Sequence, residues 1–287
     1  MIFHQGGSML TRSTRQSVYS LRIIILCIAL FTLLVASHLF AQTKPKVLDL
    51  GPEPPTSAIY IGNSFFYFNN SLHGHVGQLV VATVPAFRFR SVSVTISGSG
   101  FDWHDVESYF RPNAVGSYSF DRDNNIVFND PKGKLFDVAI MMDCSQCPIH
   151  PQLRKVFLDY AKKHSDTVRK HGAMPVFFMS WAYADKPEMT AELAEAYTQA
   201  GNENHAFVIP AGLAFARSIS KRPDVNLYVP DKRHPSLMGT YLAACTVYAS
   251  LFKKSPVELK YSAGMDEATA KYLQTVAWET VQEYFRH

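Results

Sequence analysis

Three residues of this chain have the types and the spacing to activate a hydroxyl for attack on a carbonyl. Ser64 follows the apolar run Ile59-Tyr60-Ile61 and the pair Gly62-Asn63, and Asp231-Lys232-Arg233-His234-Pro235-Ser236 lies far downstream. A serine hydroxyl is a weak nucleophile at neutral pH. It needs a base to take its proton, and the base needs a partner that fixes its tautomer. With two residues between them on a loop, Asp231 can accept the Nδ1 proton of His234 and present Nε2 to Ser64. Singly, these parts are ordinary: Asn-Ser before a helix is a common turn or N-cap, and Asp-Lys-Arg-His suits any surface loop. Together, in the order Ser, Asp, His, they point to ester cleavage. Gly62 and Asn63 allow a tight turn that brings N–H groups toward a reacting oxygen. Pro235 disfavours a helix through His234 and is expected in the first turn of the helix that follows.

Such groups need a frame, and the rest of the chain supplies one. After a Pro-rich lead-in at 42–56, apolar runs of strand length alternate with helical patterns. Strands are expected at 58–61, 91–96, 136–142, 175–180 and 206–209. Several are near-continuous Val, Ile, Met and Phe, as in strands buried on both faces. Helices are expected at 72–84, 103–109, 153–171, 190–202, 213–219, 237–252 and 267–285. The alternation predicts an α/β fold, an open and mostly parallel sheet with helices on both faces and right-handed crossovers. In such sheets ligands sit at the carboxyl ends of strands, where Ser64 falls. The Asn-, Asp-, Gly- and Pro-rich stretch at 111–134 breaks the rhythm and reads as a hairpin excursion or a loop over the site, with a simple insertion as an equal alternative.

Arg12, Arg15 and Arg22 precede an apolar run from Ile23 to Ala36 that only Thr32 interrupts, and Ala41-Gln42 follows. A basic region, a short apolar core and a small residue before a polar one describe a signal peptide, 1–41. The run falls short of the ~20 residues a span requires. An exported, periplasmic or secreted bacterial protein is expected, with one domain over 57–287. An uncleaved anchor is the alternative. Removing the three leader arginines from the net charge of +4 leaves +1. This is no field for nucleic acid, and it favours a small or neutral partner such as a sugar ester.

Cys144-Ser145-Gln146-Cys147 can close into a disulfide in an oxidising compartment or serve as a redox pair. Cys245, in an apolar helical stretch, reads as a small hydrophobe. His73-Gly74-His75 invites a metal reading, but alternate histidines near a helix start are usually surface or site-wall residues. His104 can wall a pocket. Trp103 and Trp181 offer faces for a sugar, though core packing is the commoner fate.

Gly62-Asn63-Ser64-Phe65 and Asp231-x-x-His234-Pro235-Ser236 resemble the first and last blocks of the SGNH (GDSL-like) hydrolases, in the same order, over about 57–252. The resemblance implies a flavodoxin-like three-layer α/β/α sandwich with a five-stranded sheet. It also implies serine esterase chemistry, with Ser64 as nucleophile, His234 as base and Asp231 as its orienting partner. Ile96-Ser97-Gly98 resembles the second block, whose glycine donates an N–H to the oxyanion. Gly98 takes that role beside the Ser64 N–H, with Gly100 in reserve. The third block departs: the family's Gly-x-Asn-Asp is replaced by Met141-Met142-Asp143-Cys144-Ser145-Gln146-Cys147. Gln146 is the better amide substitute for the missing donor, and Ser145 is the other choice. One such donor is typically worth ~3 kcal/mol.

The expectation is therefore an exported esterase acting on a small acyl ester, O-acetyl groups on a carbohydrate in particular, with no metal and no organic cofactor required. The acetyl-sugar preference rests on analogy and export. A weak or inactive carbohydrate-binding domain of the same fold is the alternative the third block motivates. Thiol–disulfide chemistry at Cys144 and Cys147 is a third.

Overall fold

In the computed structural model the described residues are 1–2, 43–115, 118–128 and 133–286. From Lys44 onward the described residues form one compact unit. The expected leader lies outside the described residues, apart from Met1 and Ile2.

The first strand, β1 (Ser57–Gly62), is buried along its whole length. Ala58, Ile59, Tyr60 and Ile61 fill the core on both faces, which is why the run does not alternate. It pairs in parallel with β2 (Arg90–Thr95) on one side and β5 (Val138–Met141) on the other. β6 (Met174–Phe178) and β7 (Phe207–Ile209) extend the sheet beyond β5. The order is β2-β1-β5-β6-β7 and every pairing is parallel, so the sheet expected to be mostly parallel is wholly so. β2 alternates Ser and Val and is only part-buried, as suits an edge.

The helices are α1 (Ser64–Tyr67), α2 (Leu72–Thr83), α3 (Val106–Tyr109), α4 (Arg154–Lys170), α5 (Met189–Glu203), α6 (Ala211–Lys221), α7 (Leu237–Phe252) and α8 (Glu267–Tyr284). The chain steps from β1 outward to β2, then reverses to β5. Right-handed crossovers therefore place α2 on one face and α4 and α5 on the other. Helices α6, α7 and α8 return to pack with one another, and α7 packs against α2. α7 is apolar nearly all round and buried nearly all round, a core helix rather than an amphipathic one.

Two expectations change in detail. The helix expected at 103–109 is a 3₁₀ turn (Phe101–Trp103) followed by α3. His104 turns inward between them, and the Asp105 side chain caps α3 through the Ser108 N–H. Within 111–134 the hairpin is present: β3 (Tyr118–Phe120) pairs antiparallel with β4 (Ile126–Phe128), apart from the main sheet. From Lys44 onward the Pro-rich segment is tied down, with the Lys46 N–H donating to Asn202 and Asn202 donating to the Lys44 carbonyl. Among the described residues no helix is long and apolar enough to cross a membrane.

The approach of α7 to the loop before it leaves no room for a methyl group at Gly239. A Cβ there would meet the Leu227 carbonyl oxygen at 2.3 Å and Pro235 Cβ at 3.1 Å. Gly239→Ala is expected to cost ~1–3 kcal/mol by overpacking. Thermal unfolding checks it, since a chain of this size loses about 2–4 °C per kcal/mol.

Candidate active site

Ser64 opens α1 at the carboxyl end of β1, next to the point where the strand order reverses. Asn63 caps that short turn, its Oδ1 accepting the Phe65 N–H at 3.2 Å. His234 arrives from the loop before α7. Val229 N–H donates to the His234 carbonyl, Ser236 N–H to Leu227, and Tyr228 bridges Pro235, so the segment doubles back on itself. Asp231 is oriented by the same loop, because its Oδ1 accepts the N–H groups of Arg233 and His234 at 2.8 and 2.9 Å. Its Oδ2 is left for His234 Nδ1, 2.5 Å away, and His234 Nε2 lies 2.8 Å from Ser64 Oγ. Ser64, His234 and Asp231 are thus brought together in one hydrogen-bonded line.

The Asp231 carboxylate keeps its charge. Partial burial works against it, but the bonds from His234 and from the two backbone N–H groups prevail and hold it down to about 2. Pro235 stands just before the N-cap of α7 rather than in its first turn. Ser236 is that cap and accepts the Gly239 N–H, because its β-region backbone leaves the hydroxyl facing the open N–H groups.

Two further loops meet the Ser64 turn. Asn63 Nδ2 donates to the carbonyls of Ser99 and Asp143, at 3.0 and 3.2 Å, and so joins the segments that follow β1, β2 and β5. Gly98 sits in the second of these at φ +73°, in open space, so a side chain is refused there by conformation and not by crowding. The Ser99 hydroxyl donates to the Gly62 carbonyl and lies 3.0 Å from His104 Nε2, whose Nδ1 is 3.2 Å from the Tyr109 hydroxyl. Burial, with His164 nearby, pushes His104 down to about 4. The ring is therefore neutral at pH 7, and it braces the loop instead of walling a pocket.

Gln146 is half-buried inside a loop closed by the Cys144–Cys147 disulfide. The Ser145 hydroxyl is engaged by Tyr183 at 2.7 Å. Trp181 is fully buried and donates from Nε1 to the Arg233 carbonyl, so it is a core residue with no face for a sugar; Trp103 is 60% exposed. Both ring nitrogens of His75 are committed, to the Tyr261 hydroxyl and the Asn69 carbonyl, and His73 Nδ1 meets Ser71.

No sequence-family model matches the chain, and no curated protein matches it. Solved structures do. A DUF4886 family protein from Bacteroides uniformis superposes with a TM-score of 0.56 at 18% identity, over 80% of this chain and 96% of that one. A candidate GDSL-like lipase from Parabacteroides merdae superposes at 0.53 with 11% identity, over 72% of this chain and all of the other. The chain has the SGNH (GDSL-like) hydrolase fold.

On the SGNH fold the departure at the third block acquires a physical description. Asp143 occupies the turn after β5 and is 2% exposed. Its Oδ1 accepts the N–H groups of Phe101 and Cys144 at 2.7 and 2.8 Å, which pins the loop after β2 to the loop after β5. Among the described residues Oδ2 is buried with no partner. Burial pushes the carboxyl up to about 6, against the pull of the two N–H groups. Sequence reading passed over Asp143, and it took Asn63 only as a turn former. An aspartate in an otherwise apolar run, Ala139-Ile140-Met141-Met142-Asp143, was the available signal.

A carboxyl whose folded pKa is raised binds its proton more tightly when folded, so stability falls as pH rises from about 4 through about 6. Asp143→Asn removes that dependence and keeps the Oδ1 acceptor. Between pH 4.5 and 7.5 the variant is expected to gain about 2 kcal/mol relative to wild type, read by denaturant unfolding at the two pH values.

Proposed function

We propose that this protein is an exported serine esterase that hydrolyses small acyl esters, O-acetylated saccharides being the class to test first. The observation that carries the reading is the unbroken line Ser64–His234–Asp231, with 2.8 and 2.5 Å between successive groups. In this scheme His234 Nε2 takes the Ser64 proton as the hydroxyl attacks the ester carbonyl. Asp231 holds the Nδ1 proton and supports the imidazolium. The N–H groups of Ser64 and Gly98, with Gln146 as side-chain donor, receive the oxyanion of the tetrahedral intermediate. His234 then protonates the departing alcohol, and water repeats the sequence on the acyl-enzyme to release the acid and restore Ser64.

Export is supported by the basic-apolar-small pattern of 1–41 and by the Cys144–Cys147 disulfide, which suits an oxidising compartment. Saccharide preference is supported by the near-neutral charge after the leader and by the exposed Trp103, close in sequence to Gly98.

Hydrolysis of p-nitrophenyl acetate by the purified 42–287 form tests the reading. Ser64→Ala is expected to abolish turnover, and Asp231→Asn to lower kcat by about 10²–10⁴-fold through the wrong imidazole tautomer. Turnover that survives Ser64→Ala refutes the serine mechanism. The acid limb of the rate profile should not follow protonation of Asp231, whose carboxyl is held down to about 2. Wild type should release acetate from an acetylated xylo-oligosaccharide. No release from any acetylated saccharide would overturn the substrate class and leave the esterase reading standing.

A further inference from the structure

The segment directly after the nucleophile turn is strained, and it reaches both the base and the turn that follows it. Asn69, Asn70 and Ser71 all hold positive φ, at 52°, 65° and 69°. Three successive non-glycine residues in the left-handed region are costly and persist only where surrounding contacts impose them. Here the contacts are specific. The Asn69 carbonyl lies 2.6 Å from His75 Nε2. Its side-chain amide donates to the Pro235 carbonyl at 2.9 Å and to the Thr240 hydroxyl at 2.8 Å. Pro235 adjoins His234, and Thr240 is in the first turn of α7, so Asn69 fastens both ends of the turn that leads from the base into α7.

Phe68 completes the arrangement. Its ring stacks on the His234 imidazole, with centroids 4.4 Å apart and planes 10° from parallel. Its N–H donates to the Ser64 carbonyl at 3.1 Å, so one short turn carries both the nucleophile and the plate against which the base rests. Phe65, from the same turn, meets the imidazole edge-on at 5.5 Å and stacks on Trp181. Trp181 in turn holds the Arg233 carbonyl. Face, edge and flanking backbone of His234 are each fixed from elsewhere in the fold.

We infer that Phe68 and Asn69 form a positioning strap that sets the plane and reach of His234 against Ser64. This rests on the triad reading and adds two residues to it. Neither residue transfers a proton; the strap acts by denying the imidazole other rotations. Its strained backbone lets residues four and five positions after the nucleophile reach the segment of the base.

Two variants separate the strap from bulk packing. Asn69→Gly accepts the positive φ and deletes only the amide contacts, while Phe68→Leu keeps an apolar side chain and deletes the stacking plane. Each is expected to lower kcat for p-nitrophenyl acetate by about 10–100-fold with KM within about threefold, the signature of a misplaced catalytic group. Phe68→Tyr should recover most of the Phe68→Leu loss. The proton NMR resonance of His234 Nδ1–H should broaden in both damaged variants and stay sharp in Phe68→Tyr.

A loss confined to KM would make Phe68 a substrate wall and overturn the strap. So would unchanged kcat in Asn69→Gly, or Phe68→Tyr behaving like Phe68→Leu. Should wild-type turnover survive Ser64→Ala, the triad reading fails and the Nδ1–H resonance alone decides the strap. Asn69→Gly carries the test by itself if Phe68→Leu does not fold.

Discussion

The hydrogen bond between Ser64 Oγ and His234 Nε2 joins groups 170 residues apart at 2.8 Å. In the proposed mechanism such a distance leaves little tolerance, because rates fall steeply once a base and its nucleophile drift by an ångström. Most features around the site can be understood as ways of keeping that separation. β1 lies inside the sheet, between β2 and β5, and delivers Ser64 at its carboxyl end. Helix α7 is buried nearly all round, and Gly239 lets it approach the doubled-back loop that carries Asp231 and His234. Core packing and the geometry of the Ser64–His234 pair are here the same constraint.

Polar groups within that packed setting are matched to the loops rather than to one another. Asn63 spends its two amide protons on carbonyls from two other loops. Asp143 spends one oxygen on two N–H groups and leaves the other buried and unpartnered among the described residues. A buried unpartnered oxygen opposes folding. Its retention, like the three left-handed residues at 69–71, is the pattern of local cost concentrated around a functional site. Aromatic rings add rigidity: Phe215, Trp181 and Phe65 stack in a column that ends at the edge of His234.

Much of the frame was legible in the chain. The five strands and most helices lie within a few residues of their expected places, because buried parallel strands leave continuous apolar runs, α4 and α8 show a helical period, and α7 is an apolar run too long for a strand. The miss at 103–109 has a local cause, since His104 is drawn inward to Ser99 and interrupts the helical pattern. Trp181 illustrates the opposite limit: a tryptophan that meets the Asp231–His234 loop looks the same in sequence whether its face is open to a sugar or packed between Phe65 and Phe215.

The sequence by itself determined what is local: the strand-to-serine turn at Gly62-Asn63-Ser64, and the Asp231-x-x-His234 spacing that lets a carboxylate meet an imidazole within one loop. Only the tertiary structure decided which distant groups support them. Asn63 reaches across 36 and 80 residues, and Asn69 across 166, to find their carbonyls. Those partners are backbone atoms, which every residue possesses, so no side-chain pattern announces them. They become specific only when the sheet order sets three loops side by side and the start of α7 comes against the segment that follows Ser64.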